Sequence, residues 1–151
     1  MSLDRVLLPV EPADRNHLET IVQATIDVVD AHGATVYLLY LFPEDEYEEL
    51  VEQTDLGDAS GRRSPDELAA RHESVRTPTS IFERHDIDYE IRGVVGGNPA
   101  SQVVKRAEKL DADVVVVGGN KRSPTGKAMF GDHAQQVLLN ASCPVVYVKR
   151  E

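Results

Sequence analysis

Apolar residues along this 151-residue chain form short continuous runs, and longer segments of mixed polarity separate them. Four consecutive valines at residues 114–117 are typical of a strand that is covered on both faces. Apolar runs at residues 4–10, 34–42 and 144–148 predict three more strands, and an alternating segment at residues 87–95 predicts a fifth.

The segment after the first strand predicts an amphipathic helix. Its apolar residues recur near a period of 3.6 between residues 18 and 29. Asp14 is expected to cap the N-terminus of this helix, and Gly33 is expected to stop it. The helix should therefore end at about residue 31.

Three further helices are predicted in the rest of the chain. Residues 64–67 combine a serine cap, a proline and a glutamate in capping-box spacing, and the helix they begin should extend towards residue 86 with a bend or break at Pro78. Another helix should follow Asn98, and the last should cover residues 131–140. The acidic and then polar residues 44–63 predict a solvated helical turn and a loop.

Five strands alternating with four helices predict one α/β domain over residues 1–151. Its sheet should be parallel and doubly wound, with helices on both faces. Such sheets bind ligands beyond the carboxyl ends of the strands, where the strand order reverses. A ligand site is therefore expected at that edge.

Composition narrows the classes of partner. The net charge of −10 would repel a nucleic-acid backbone, although salt would screen an acidic surface in a high-salt cytoplasm. Cys143 is the only cysteine, which rules out an intrachain disulfide and a cysteine-based zinc cluster. No signal sequence or apolar run of about 20 residues is present, so we expect a soluble cytoplasmic protein without membrane contact.

A loop rich in glycine and lysine follows the four-valine strand. We expect the strand to end at Gly118-Gly119, where positive φ angles would let the backbone approach a ligand closely. Lys121 and Lys127 lie in the loop, and the next helix should begin near Gly131, where backbone N–H groups attract anions. The pattern suits a phosphate group.

Several segments together resemble the universal stress protein family: VLLPV at the start, YLF in the second strand, GNP before the third helix, DADVVVVG, SPTGK, and SCPVV near the end. The resemblance implies an adenine-nucleotide-binding fold with strand order 3-2-1-4-5. It also implies a homodimer formed largely through the last strand, residues 144–149.

The resemblance further implies a nucleotide site. ATP-binding members carry glycine, two residues, glycine, nine residues, glycine and a hydroxyl residue; here Gly118, Lys121, Gly131 and Asp132 occupy the four motif positions. Glu11 would accept hydrogen bonds from the ribose. The residues predicted to bind the nucleotide, from the resemblance and the loop together, are Pro9, Val10, Glu11, Leu41, Val117, Gly118, Lys121, Gly126, Lys127, Gly131, Asp132 and His133.

Asp132 leaves alternative functions open. Its carboxylate either caps the helix and occupies the place of a phosphate, or binds phosphate through a magnesium ion carried by the nucleotide. The leading hypothesis is a stress-response protein that binds ATP or another adenine nucleotide, with no committed turnover. The alternatives are an interaction module that has lost nucleotide binding, and a slow metal-assisted ATP hydrolase. No catalytic residues are assigned.

Overall fold

Parallel strands form the centre of the computed structural model, which describes residues 3–29, 33–54, 64–120 and 133–150. They are β1 (Arg5–Val10), β2 (Thr35–Phe42), β3 (Tyr89–Val95), β4 (Val114–Asn120) and β5 (Val145–Arg150). Their spatial order is β3-β2-β1-β4-β5, and all neighbouring pairs are parallel. The predicted doubly wound sheet and the strand order implied by the resemblance are both confirmed.

Helices follow the strands on both sides of the sheet. A 3₁₀ turn at Pro12–Asp14 precedes the described α-helices, which are α1 (Leu18–Val29), α2 (Glu44–Thr54), α3 (Pro65–Arg71), α4 (Glu73–Arg84), α5 (Pro99–Leu110) and α6 (Ala134–Asn140). The prediction of four helices was wrong. The acidic segment forms the full helix α2 rather than a single turn, because Tyr47, Leu50 and Val51 pack against the core.

Two hydrophobic cores lie on opposite faces of the sheet. One contains Val6, Leu8 and Val10 of β1 and packs under α1, α3 and α4. The other contains Leu7 and packs under α5 and α6. Alternate residues of a strand point to opposite faces, so the continuous apolar runs in the sequence reflect burial on both sides.

The end of β4 differs from the prediction. The strand does not stop at Gly118-Gly119 but continues to Asn120, paired with residues 148–150 of β5. Neither glycine has a positive φ; among the described glycines, positive φ occurs at Gly33, Gly96 and Gly97. Pairing with β5 keeps this part of the chain extended, so a left-handed backbone is not what requires Gly118.

The break in the helical segment after residue 64 lies at His72, not at Pro78 as predicted. His72 has an extended backbone, and its Nδ1 accepts a hydrogen bond of 3.0 Å from the Ser74 N–H at the start of α4. Pro78 lies inside α4, which continues through it with Val75 and Phe82 buried on either side. The histidine cap therefore sets the boundary between α3 and α4.

The same histidine joins α2 to the sheet. Because its Nδ1 is an acceptor, Nε2 carries the proton and donates to Glu46 Oε1 at 2.8 Å. The Tyr40 hydroxyl donates to the same oxygen at 3.1 Å, and the rings of Tyr40 and His72 stack 4.1 Å apart. Burial, and then the neighbouring Glu46 carboxylate, raise the pKa of Tyr40.

Helix α3 covers the outer edge of β3. The side chain of Ser64 caps the helix through the Glu67 N–H, as predicted. Asp66 Oδ1 accepts a hydrogen bond of 2.8 Å from the Gly93 N–H, and a Cβ on Gly93 would lie 2.4 Å from the Pro65 carbonyl oxygen. This edge strand is therefore capped by a helix that approaches as closely as glycine allows.

Candidate functional site

The carboxyl ends of β1 and β4 meet where the strand order reverses. From β1 the chain proceeds to β2 on one side, while β4 lies on the other side and leads to β5. The connecting helices consequently separate to opposite faces, and a crevice remains between the strand ends. The structure contains a cleft at this point.

The inner part of the cleft is narrow. Pro9, Leu41 and Val117 supply apolar walls from three strands, and Glu11 and His133 supply polar groups. The remaining described lining residues are Asp14, Pro99, Val103, Gly118, Ala134 and Val137. The volume of about 20 Å³ is sufficient for about one water molecule.

The outer part of the cleft is much larger, at about 400 Å³. It shares Glu11, Leu41, Pro99 and His133 with the inner part. Its other described lining residues are Pro12, Phe42, Pro43, Glu44, Gly96 and Gly97. This volume lies within the range of about 300–1,000 Å³ that is typical of small-molecule sites.

The turn after β1 places two carboxylates beside the cleft. Glu11 precedes the 3₁₀ turn and Asp14 is its last residue, and Asp14 Oδ2 accepts a hydrogen bond of 3.0 Å from the Glu11 N–H. Asp14 does not cap α1 as predicted; its backbone carbonyl accepts a bond from the His17 N–H, and α1 begins at Leu18. Its side chain is 2% exposed.

Gly118 is required by packing against Asp14. A Cβ at this position would lie 2.7 Å from Asp14 Oδ1 and 2.8 Å from Ile21 Cδ1, closer than real contacts allow. The carboxylate of Asp14 thus occupies the space that a side chain on β4 would need. The space beside the first glycine of the motif is therefore filled by side chains of the protein itself.

The described cleft is acidic rather than basic. Its lining includes the carboxylates Glu11, Asp14 and Glu44, and no lysine or arginine belongs to the described lining. The described residues also contain no group of three or more histidine, cysteine or acidic side chains arranged to hold a metal ion. The described part of the site therefore favours hydrogen-bond donors over anions.

A family model described as the universal stress protein family matches residues 2–149. The chain belongs to the universal stress protein family. The resemblance of its sequence motifs is thereby confirmed.

Relatives of this universal stress protein include bacterial and archaeal proteins. A universal stress protein of Mycolicibacterium smegmatis is 31% identical over 80 residues, which cover 53% of this chain and 62% of that protein. The match thus spans less than two thirds of that relative.

Solved structures in the family share the fold. The universal stress protein from Archaeoglobus fulgidus is 27% identical, with a TM-score of 0.68 over 99% of this chain and 100% of that one. Another structure from the same organism, in complex with dAMP, is 22% identical, with a TM-score of 0.64 over 99% and 100% of the two chains.

The structure brings together six of the predicted site residues of this universal stress protein: Pro9, Glu11, Leu41, Val117, Gly118 and His133. Val10 is not among the lining residues, because its side chain packs in the core on the opposite face of the sheet. Lys121, Gly126, Lys127, Gly131 and Asp132 lie outside the described residues. The predicted helix start at residue 131 also lies there, and α6 is described from Ala134.

Sequence reasoning did not identify other residues of the cleft. The sequence predicts Asp14 as a cap of α1, although its spacing of three residues from Glu11 is the spacing of the capping pair that the structure shows. Pro99 and Val103 line the cleft from α5, and the cap at Asn98 predicted only where that helix begins. Which face of α5 meets the strand ends depends on tertiary packing, so the local pattern gave no signal for it.

Proposed function

We propose that this chain is a cytoplasmic, dimeric stress-response protein that binds ATP or another adenine nucleotide and acts by ligand occupancy, without committed turnover. The observation that carries the proposal is the cleft where the ends of β1, β2 and β4 meet the start of α6. Its position matches the usual ligand site of a doubly wound sheet.

The chemistry of the described cleft suits the nucleoside part of such a ligand. Pro9, Leu41 and Val117 offer apolar contacts to a purine ring. The Glu11 carboxylate is an acceptor for ribose hydroxyl groups. The bound dAMP named for the Archaeoglobus fulgidus structure supports an adenine nucleotide as the ligand class.

Calorimetry on nucleotide-free protein tests the proposal. Adenosine, AMP and ATP would be titrated separately, each with and without magnesium. Glu11→Gln removes the charge of the proposed ribose acceptor and should weaken binding about tenfold, since hydrogen bonds to charged groups contribute about 1.5–3 kcal/mol. Glu108→Gln is the matched control, because Glu108 is exposed near the far end of α5.

Two outcomes would contradict this function. Absence of binding for every ligand at millimolar concentration removes the nucleotide hypothesis. Equal weakening by Glu11→Gln and Glu108→Gln removes the assigned cleft while leaving nucleotide binding in place.

A ligand-free interaction module is the second candidate. The inner cleft volume of about 20 Å³ favours it, because a filled crevice leaves little room for a base. Under this hypothesis, Asp132 and Lys121 replace motif residues and prevent nucleotide binding. Strong ATP binding by Asp132→Ser, with none by the wild type, would support the module.

The proposed dimer forms through β5. In the described chain this strand is the last in the sheet and is next to β4. Leu139 on α6 is also 75% exposed. Light scattering should give twice the 16.7 kDa chain mass, and a monomer at micromolar concentration would contradict the dimer.

A further inference from the structure

The Asp14 carboxylate has no role in the nucleotide site proposed above, yet it lies inside the cleft. Only 2% of the residue is exposed, and it belongs to the inner lining. Burying a carboxylate is unfavourable unless hydrogen bonds compensate for the lost water. The contacts that Asp14 makes therefore indicate what the residue does.

Those contacts fix the backbone of Glu11. Asp14 Oδ2 accepts the Glu11 N–H at 3.0 Å, and the Asp14 N–H donates to the Glu11 carbonyl at 2.9 Å. Both polar groups of the Glu11 backbone are thus held by one residue. Glu11 itself lines both parts of the cleft, so its backbone conformation determines where its carboxylate lies.

The other carboxylate oxygen of Asp14, Oδ1, lies close to Gly118. The position of a Cβ on Gly118 is 2.7 Å from Asp14 Oδ1, so the carboxylate rests directly over the β4 backbone. Asp14 therefore spans the crevice from the turn after β1 to the end of β4. Its position couples the geometry of Glu11 to the strand that precedes the motif loop.

We infer that Asp14 is a positioning residue, which holds Glu11 at the angle needed for ligand binding by bridging the Glu11 backbone and Gly118. The inference rests on the proposed function, because Glu11 is the proposed ribose acceptor. Asp14 acts through Glu11 and need not touch the ligand.

A double-mutant cycle with adenosine as the probe tests the inference. Asp14→Ala should weaken adenosine binding about five- to tenfold, which corresponds to losing one hydrogen bond of ordinary strength. Asp14→Asn should restore most of the affinity, because its amide oxygen still accepts the Glu11 N–H. In a Glu11→Ala background, Asp14→Ala should cause no further loss.

Circular dichroism and the urea midpoint show whether each variant is folded. Gly118→Ala provides an independent perturbation, since its methyl group displaces the carboxylate without removing it. Gly118→Ala should weaken adenosine binding in the wild-type background. It should have less effect when Asp14 is already alanine, because only the close contact with Ile21 Cδ1 then remains.

Different results would contradict the proposed function and the positioning role of Asp14. If the wild type binds none of adenosine, AMP and ATP, the proposed function fails and takes this inference with it. If the wild type binds but Asp14→Ala matches its affinity, the positioning role alone is wrong. The same conclusion follows if the losses from Asp14→Ala and Glu11→Ala simply add, because Asp14 would then act independently of Glu11.

Discussion

Gly93→Ala tests how closely α3 must approach β3. The added Cβ would lie 2.4 Å from the Pro65 carbonyl oxygen and 2.8 Å from its carbonyl carbon, where real contacts stay beyond 3.0 Å. Both atoms belong to the backbone, so relief requires a shift of the start of α3 rather than a side-chain rotation. The shift of at least 0.6 Å (3.0 minus 2.4) also strains the 2.8 Å bond between Gly93 N and Asp66 Oδ1.

The expected loss follows from these contacts. Overpacking costs about 1–3 kcal/mol, and losing the hydrogen bond adds about 1 kcal/mol, which gives about 2–4 kcal/mol in the free energy of unfolding. For a domain of this size, that corresponds to a fall in Tm of about 4–16 °C. Urea unfolding should show a lower midpoint with an unchanged slope.

Two comparisons isolate the cause of this loss. Gly33→Ala introduces strain from a φ of +67° with no atom of the described residues within 4 Å of its Cβ, so it should cost about 1–2 kcal/mol. Asp66→Ala should destabilise the wild type but have little further effect on Gly93→Ala, whose hydrogen bond is already lost. A free energy of unfolding for Gly93→Ala within about 0.5 kcal/mol of the wild-type value would refute the close approach of α3.

Three further predictions concern protonation and capping. Hydrogen bonds from the Asp4 and Arg5 N–H groups lower the pKa of Asp113. The ionised carboxylate therefore stabilises the fold above the usual carboxyl pKa, and this stabilisation is lost as the pH falls. The difference in free energy of unfolding between wild type and Asp113→Asn should accordingly disappear in acid titrations. Tyr40 has a raised pKa, so the folded state holds its proton more tightly than the unfolded state does. Its contribution to stability is therefore lost as the pH rises above about 10, and the free energy of unfolding should fall less for Tyr40→Phe than for wild type in that range. His72→Ala should cost about 0.5–2 kcal/mol more in urea than His72→Asn, which can still cap α4, and equal losses would contradict the capping role.

The fold was predictable because its central strands β1, β2 and β4 are buried on both faces. The four valines of β4 and the first strand show that burial directly as apolar runs. Local signals also located the starts of α3 and α5, where Ser64 and Asn98 accept the predicted backbone bonds. These features depend on residues close together in the sequence.

Features that depend on distant contacts were not predictable in the same way. The break at His72 needs an imidazole that stacks on Tyr40, 32 positions away, and proline chemistry alone pointed to Pro78 instead. The extension of β4 through Gly118 depends on pairing with Val148. In the site, the sequence predicts Glu11 as a ligand-binding residue, and the structure places Glu11 in the lining of the cleft. No sequence pattern predicts that the Asp14 carboxylate lies close to Gly118, because a pattern within one segment does not reveal its contact with another.

Helix α3 lies over the outer edge of β3, so the two edges of the sheet differ in how readily they can pair with another strand. Among the described residues, α3 covers the β3 edge at Gly93 and hinders strand addition there, so the proposed dimer uses the β5 side of the sheet. Two copies joined there about a two-fold axis would form one continuous sheet with a helix-protected end on each outer margin. Such an assembly would expose at both ends the β3 edge that α3 covers, which would disfavour extension of the sheet to a third molecule.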